Sequence, residues 1–386
     1  MLTNRRLASM LTLTVIAIGI GSMTTAGRTI AANVRTHNVI YTFSPNKISI
    51  VDPKTMQSAS IPETNIAWGD VLVSPDRKLV FANDRTHNAV QVISVDSMKV
   101  IKSISVGERP VHSYNPKGGK EIWIHSDIEG TFYVIDIGSL ALTHKVLAAT
   151  DAKKGGHGKL LWSAQLGDKA YATNVNDRNL HVLSLSQYRE TGTIDTGCKG
   201  THGHSYNTPT KMVYVACNDG HVVVINPAMD TVVATLVGGS QVWPGAHDEW
   251  MSEDSPYLVS PTADDMKVID TAARMNVGTI AVNDTGYVVV RRLAGKTVAF
   301  AAGNKMPFVY VMDVKSMKVL KQINVGSPTA GQPEGNEGGG DIVDRGDALY
   351  VVRANDGLLT RLDIKELRVV RSLFIEKGVN HVVYVE

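Results

Sequence analysis

Histidines carry the most specific chemical signal in this chain of 386 residues. His112-Ser113-Tyr114-Asn115 and His204-Ser205-Tyr206-Asn207 repeat the same four residues and are predicted to occupy equivalent places. Two His-Gly pairs, at 157–158 and 202–203, lie close to such places. Imidazole is the commonest neutral metal ligand near pH 7, and clustered imidazoles favour Zn, Cu or Fe over Mg or Ca. If the fold gathers these side chains, they predict a transition-metal site.

A repeated segment positions these histidines. Its clearest copies are residues 90–107 and 309–326, which share the run Ser-Met-Lys-Val. Each copy has two β-rich runs joined by a turn at an Asp, Asn or Ser, whose side chain can bond the local backbone. The eight turn residues, spaced by 42 to 50 residues, are Asp52, Ser94, Asp136, Ser184, Asn226, Asp270, Asp313 and Asp363.

Two further β-rich runs lie between successive copies, so each repeat contains four strands. Four strands repeated around a chain are typical of a β-propeller, whereas a β-sandwich does not give eight equivalent spacings. The last residues, 381–386, are predicted to form an innermost strand, and residues 39–52 are predicted to form the next two strands. We therefore predict an all-β, eight-bladed propeller whose C-terminal strand completes the first blade. A seven-bladed ring is the alternative, if the copy around Ser184 or Asp270 is something else.

The innermost strands of a propeller run along the central channel and begin at the same mouth. His202 and His204 are two residues apart and are expected on one face of their strand. The predicted metal ligands at this mouth are His112, His157, His202, His204, His247 and His381, with Asp70 and Asp341 as second choices. The alternative is a water-filled channel whose polar lining binds nothing. The remaining histidines, His125 and His181 among them, are predicted to lie on the surface or in turns.

Composition and the N-terminal residues narrow the class of protein. Lys and Arg number 39 against 37 Asp and Glu, so no bulk charge favours nucleic acid. Arg5 and Arg6 precede an apolar run and then small residues at Ala26 and Ala31-Ala32, the order of a secretory signal peptide. We predict a signal peptide at 1–32 and a single propeller domain at 33–386, periplasmic or secreted, without a membrane span. A retained membrane anchor is the alternative.

The two cysteines exclude a four-cysteine zinc or iron–sulfur site. In an exported chain Cys198 and Cys217 are predicted to form a structural disulfide. A copper–thiolate site is the alternative.

The β-rich runs also resemble a known family. Tyr171-Ala172-Thr173-Asn174, residues 214–218 and the Val-Ile-Asp turns at Asp136 and Asp270 resemble YVTN-type repeats. The chain from residue 33 onward is similar to the d1-type haem domain of periplasmic nitrite reductases and their relatives. It contains no Cys-x-x-Cys-His, so the c-type haem domain of those reductases is absent.

This resemblance implies a haem-type tetrapyrrole in the channel mouth, with a histidine as axial ligand. Arg109 and Lys159 would then pair with its carboxylates. Glycines at 155–156, 200 and 203 would let a flat ligand approach the backbone.

Three functions follow from these observations. The first is metal or cofactor handling, or a redox accessory role, at the histidine mouth. The second is a non-enzymatic interaction module with a periplasmic protein partner. The third is an enzyme that binds a small anionic substrate near the histidines and Arg109. The chain has no Gly-x-Ser-x-Gly elbow and no His-Glu-x-x-His motif, so no hydrolase motif supports the third function.

Overall fold

The structure is a computed structural model that describes residues 37–150, 155–237, 255–261, 265–282, 285–303, 306–327 and 341–386. The predicted signal peptide and the predicted ligand His247 lie outside these residues. Within them, no helix combines the length and the apolar character that crossing a bilayer requires.

The described residues form short β-strands and two turns of 3-10 helix, at Pro116–Gly118 and Ala164–Leu166. The strands of the first half are β1 (Val39–Ser44), β2 (Lys47–Val51), β3 (Ser58–Pro62), β4 (Trp68–Val73), β5 (Leu79–Asp84), β6 (Ala89–Ser94), β7 (Lys99–Ser105), β8 (Pro110–Tyr114), β9 (Glu121–Ser126), β10 (Thr131–Asp136), β11 (Ala141–Leu147), β12 (Leu160–Leu161), β13 (Lys169–Ala172), β14 (Asn179–Ser184) and β15 (Arg189–Asp195). The strands of the second half are β16 (Thr201–Asn207), β17 (Met212–Cys217), β18 (His221–Asn226), β19 (Thr231–Val237), β20 (Tyr257–Pro261), β21 (Met266–Asp270), β22 (Met275–Ile280), β23 (Thr285–Leu293), β24 (Lys296–Gly303), β25 (Phe308–Asp313), β26 (Lys318–Asn324), β27 (Ile342–Asp344), β28 (Ala348–Arg353), β29 (Leu358–Asp363), β30 (Arg368–Phe374) and β31 (His381–Val385).

These strands form eight antiparallel sheets, the blades of an eight-bladed propeller. Blade 1 contains β31, β1, β2 and β3, from the inside outward. Blades 2 to 5 contain β4–β7, β8–β11, β12–β15 and β16–β19. Blade 6 contains β20–β22 among the described residues, and blades 7 and 8 contain β23–β26 and β27–β30. The predicted blade count is therefore confirmed.

The C-terminal strand closes the ring. β31 pairs with β1 in register from Val39 opposite Val385 to Phe43 opposite His381. The last strand of the chain thus completes the first blade, as predicted. This pairing gives β1 a partner on each side, so it presents no open edge of unpaired backbone groups.

The hydrophobic core lies between neighbouring blades. Every residue of β1 and of β28 is buried, because both faces of a middle strand pack against adjacent sheets. Phe81 and Val92 of blade 2, for example, pack with Ile124 and Ile135 of blade 3. The outermost strands instead alternate in exposure, as one face of each meets water.

The predicted Asp, Asn and Ser residues do hold the outer turn of every blade. In each turn the side-chain oxygen accepts a hydrogen bond from a backbone N–H two or three residues later. The residue four positions after each adopts a positive φ of 50° to 56°, which closes the hairpin. Those residues are Met56, Met98, Leu140, Tyr188, Asp230, Arg274, Met317 and Leu367.

Removing one of these turn carboxylates should destabilise the propeller measurably. Asp313 is nearly buried, accepts a hydrogen bond from the Ser316 N–H at 3.1 Å and lies 3.1 Å from the Lys296 ammonium. Asp313→Ala should lower the free energy of unfolding by about 1–2 kcal/mol. For a chain of this size, this change lowers the thermal midpoint by about 1–3 °C. Asp313→Asn, which keeps the acceptor oxygen, should lose less than half as much. A wild-type midpoint in Asp313→Ala would contradict this role.

Candidate functional site

The same irregularity recurs at the start of four innermost strands. In each, three residue steps on the inner strand lie opposite two on its partner, which is a β-bulge. The bulges lie between Trp68 and Val71, between Pro110 and Ser113, between Thr201 and His204, and between Thr285 and Val288. A bulge redirects the side chains it contains and is often found beside functional sites. Three predicted site residues, Asp70, His112 and His202, lie within these bulges.

The bulges also correct the predicted alignment of the inner strands. Counted from the bulge, His112 of β8 is equivalent to Asp70 of β4 and to Gly203 of β16, and not to His204. The two strand pairs have the same register relative to the bulge, because Ser113 opposes Ile124 and His204 opposes Val215, eleven residues apart in both cases. The matching motif is therefore displaced by one residue along β16. The bulge also interrupts the alternation on which the predicted shared face of His202 and His204 depends.

Four side chains from three blades form a continuous chain of hydrogen bonds. The Nδ1 atom of His112 lies 2.9 Å from an oxygen of Asp70. The Nε2 atom of His112 lies 2.9 Å from the Nε2 atom of His157. The Nδ1 atom of His157 lies 3.1 and 3.2 Å from the two oxygens of Asp127. Each imidazole therefore contacts a carboxylate through Nδ1 and the other imidazole through Nε2.

The carboxylates of Asp70 and Asp127 are both ionised. Burial raises the pKa of Asp70, but the charge and hydrogen bond of His112, with His381 and Lys159 nearby, outweigh it and bring the pKa to about 2. Burial likewise raises the pKa of Asp127, and hydrogen bonds from His125 and His157 bring it well below the usual value. An ionised carboxylate only accepts hydrogen bonds, so both Nδ1 atoms carry a proton and donate.

This protonation leaves two Nε2 atoms facing each other at 2.9 Å. If both rings were neutral with the proton on Nδ1, each Nε2 would carry only a lone pair. Two such lone pairs repel each other, so the contact requires a cation between them. That cation is either a second proton on one ring or a metal ion.

Asp127 also holds a third histidine that the sequence interpretation placed on the surface. His125, on β9, is fully buried, and its Nδ1 lies 3.3 Å from Asp127 Oδ1. Its Nε2 atom has no hydrogen-bond partner among the described residues. Burial lowers the pKa of His125, and the charges of His157 and His112 lower it further, although Asp127 opposes them. His125 is thus a neutral, buried ring beside the site, and its predicted surface position was wrong.

Two further predicted ligands, His202 and His381, have contacts of their own. The ring of His202 stacks on that of His157 with centroids 5.0 Å apart. His381 lies 3.9 Å from Asp341, whose carboxylate accepts hydrogen bonds from the backbone of Ile342 and Val382. Burial and the nearby Asp70 raise the pKa of Asp341, whereas His381 and those N–H groups lower it, and the net shift is upward.

The other predicted site residues make the following contacts. Arg109 is half exposed, with its Nε 3.9 Å from Asp127. The Lys159 N–H donates to Thr173 Oγ1, and His204 pairs with Val215 across β16 and β17. Cys198 and Cys217 are joined by a disulfide.

His181, also predicted at the surface, is fully buried. Its ring lies between the carboxylates of Asp177 and Glu190. The expected surface position was wrong, because the second and third strands of a blade are covered by the next blade.

Two of the glycines expected to admit a flat ligand, Gly155 and Gly200, instead meet protein backbone. A Cβ atom at Gly155 or Gly200 would lie 2.0 Å from the carbonyl oxygen of Ile128 or Val175. These glycines therefore let neighbouring segments of the chain approach each other.

One group of three potential metal ligands lies close together among the described residues. It consists of Cys198, Cys217 and Asp219, whose ligand atoms all lie within 4.8 Å of one another. The histidine site offers instead a preorganised pair of Nε2 atoms.

Comparisons with known proteins bear on the fold. No family model matches the chain. No curated protein matches it in sequence. A dihydro-haem d1 dehydrogenase, NirN, in complex with DHE, is similar in structure with a TM-score of 0.71 and 16% identity, over 92% of this chain and 76% of NirN. AztD from Citrobacter koseri, in its apo form, is similar with a TM-score of 0.63 and 15% identity, over 89% of this chain and 96% of AztD. A computationally designed protein, Ika8, is similar with a TM-score of 0.60 and 14% identity, over 81% of this chain and 89% of Ika8. These similarities show a shared propeller fold.

One glycine should be essential for the position of His157. A Cβ atom at Gly158 would lie 2.1 Å from the Thr173 carbonyl oxygen and 3.2 Å from His125 Nε2. Gly158→Ala should therefore push the His157 segment away and cost about 1–3 kcal/mol of stability. The measurement is the thermal midpoint, with a crystal structure of the variant.

Gly192→Ala, on the outer strand β15, is the matched control, because a Cβ atom there meets nothing within 4 Å. It should leave the midpoint unchanged or slightly higher. Equal midpoints for the two variants would refute the predicted clash.

Proposed function

We propose that this protein binds one divalent transition-metal ion at the channel mouth, between the Nε2 atoms of His112 and His157. The observation that carries the proposal is the 2.9 Å contact between two Nε2 atoms whose rings both donate from Nδ1 to carboxylates. A metal ion in this position removes the repulsion of the two lone pairs. Imidazole ligands favour Zn, Cu or Fe.

The carboxylates are arranged as they are around known metal-binding histidines. A ligating histidine almost always donates its other ring N–H to a carboxylate, carbonyl or water, which fixes the tautomer and raises the basicity of the ligand. Asp70 and Asp127 make this contact with His112 and His157. We therefore assign these two aspartates a positioning role, and Asp70 is not itself a ligand in this arrangement.

The spacing suits a metal after a small adjustment. Two nitrogens bound at ~2.05 Å to a tetrahedral ion lie about 3.3 Å apart. The two Nε2 atoms, at 2.9 Å, need only a rotation of the rings to open by about 0.4 Å. His202, stacked on His157, is the nearest candidate for a third ligand.

The wider role we propose is metal handling in the periplasm or outside the cell, after export by the predicted signal peptide. The fold itself does not decide between handling, catalysis and protein interaction, because propellers serve all three.

A haem-type cofactor is the second candidate, and the propeller shared with NirN, solved in complex with DHE, favours it. The geometry fits it less well. The Nε2 atoms of His112 and His157 face each other, so neither can be an axial ligand until the two rings separate. Gly155 and Gly200, two of the glycines that would have admitted a flat ligand, are covered by backbone. Elemental analysis with a visible spectrum of protein from its own host separates the two candidates. A stoichiometric metal without a haem band supports our first proposal.

Substituting both facing histidines should abolish metal binding without unfolding the propeller. Isothermal titration with zinc should give one equivalent for the wild type and none for His112→Ala with His157→Ala. The matched control is His144→Ala, because that ring stacks on Tyr188 at 3.6 Å, on an outer strand. The control should bind zinc like the wild type. Unchanged zinc binding in the double variant would refute the proposed site.

Variants of the carboxylates separate a positioning role from direct ligation. Asp70→Asn and Asp127→Asn keep the shape of the side chain but remove its charge. Each should weaken zinc binding by about 10–100-fold without changing the stoichiometry, as the loss of an outer hydrogen bond to a ligand does. Wild-type affinity in both variants would contradict the positioning role.

A further inference from the structure

A second group of potential ligands lies in blade 5 and shares no residue with the His112–His157 site. Cys198 is in the connection before β16, Cys217 ends β17, and Asp219 is in the turn that follows. Both sulfur atoms and a carboxylate oxygen of Asp219 lie within 4.8 Å of one another. In the oxidised chain the two sulfurs bond to each other. Thiolate ligands select Zn and Cu(I), so the same three residues have a different chemistry once the disulfide opens.

Asp219 is held in place and charged. One of its oxygens accepts a hydrogen bond from His221 Nδ1 at 2.9 Å, and the other accepts one from the Lys199 N–H at 3.2 Å. Its side chain is 11% exposed. The residue therefore presents an oriented anionic oxygen beside the two sulfurs.

The segment that carries Cys198 stays docked without the disulfide. The Lys199 N–H bonds Asp219, and the Asn218 N–H donates to the Gly200 carbonyl at 3.0 Å. Thr201 then pairs with Cys217 in the sheet. These contacts keep the two cysteine backbones together, with Cα atoms 5.6 Å apart.

The sulfur atoms need little movement to bind one ion. Two thiolates at ~2.3 Å from a tetrahedral zinc lie about 3.8 Å apart, against about 2.05 Å in a disulfide. Rotating the two side chains about their Cα–Cβ bonds supplies this difference.

A cleft lies against the disulfide on the side of Cys198. The cleft, of about 480 Å³, is lined by Cys198 and by Lys199, Arg178, Asn174 and Asn176. Metal binding itself favours the thiolate, because the ion displaces the thiol proton.

We infer that Cys198, Cys217 and Asp219 form a redox-gated metal site, closed in the oxidised chain and open to a zinc-like divalent ion in the reduced chain. A dithiol supplies two electrons and two protons, which convert the disulfide into two thiols while the dithiol itself becomes a disulfide. One divalent ion then binds both sulfurs and displaces the two thiol protons. This site is independent of the histidine site, and the two proposals fail separately.

The test is a cobalt titration of the full chain before and after reduction with a phosphine. The reduced protein should bind one equivalent of Co²⁺ with a sulfur-to-cobalt charge-transfer band, and the oxidised protein should show no such band. Cys198→Ser with Cys217→Ser should lose the band in either state. Asp219→Asn should weaken this binding at least tenfold. The double variant of His112 and His157 should keep the band, which separates the two sites.

Three results would overturn the inference. The first is a folded, reduced protein that shows two titratable thiols and no charge-transfer band. The second is an affinity unchanged by Asp219→Asn, which would remove Asp219 from the site. The third is loss of the native circular dichroism spectrum on reduction, because the disulfide would then be purely structural.

Discussion

Pairing of the C-terminal strand with the first strand of the propeller holds the candidate site together. The Asp70, His112 and His157 side chains come from blades 2, 3 and 4, and His381 comes from β31, the closing strand itself. No two of these four residues are less than 40 positions apart in the sequence. Their contacts exist because the ring brings eight inner edges around one channel. Opening the ring at this pairing would expose the edge of β1.

Within the closed ring, local irregularity gives the site its chemistry. Regular innermost strands would alternate their side chains between the two neighbouring blades. The bulges in β4 and β8 interrupt this alternation at Asp70 and His112, which meet across the blade boundary. Two ionised aspartates then fix the tautomers of His112 and His157 and direct both Nε2 lone pairs at one point. Two facing lone pairs repel each other unless a cation lies between them, and this is the physical reason for proposing a metal there.

The repeat, the blade count, the ring closure and the turn residues could all be predicted from the sequence, because each depends on local patterns that are repeated eight times. The sequence pattern also placed Asp70, His112 and His157 on one rim. It missed Asp127 and His125, because they belong to the end of a second strand and its turn, where the rim pattern does not extend. The two residues are two positions apart, which is the one local signal that could have indicated them. The alignment of His112 with His204 failed by one residue, since matching letters do not show where a bulge begins.

Anomalous diffraction from crystals soaked in zinc tests the central claim most directly. The account predicts one strong peak at about 2.0–2.1 Å from the Nε2 atoms of both His112 and His157. Asp70 and Asp127 should still accept hydrogen bonds from the Nδ1 atoms of these rings. A channel mouth without an anomalous peak, with the two Nε2 atoms still 2.9 Å apart, would show that a proton is the cation between them and that the site binds no metal.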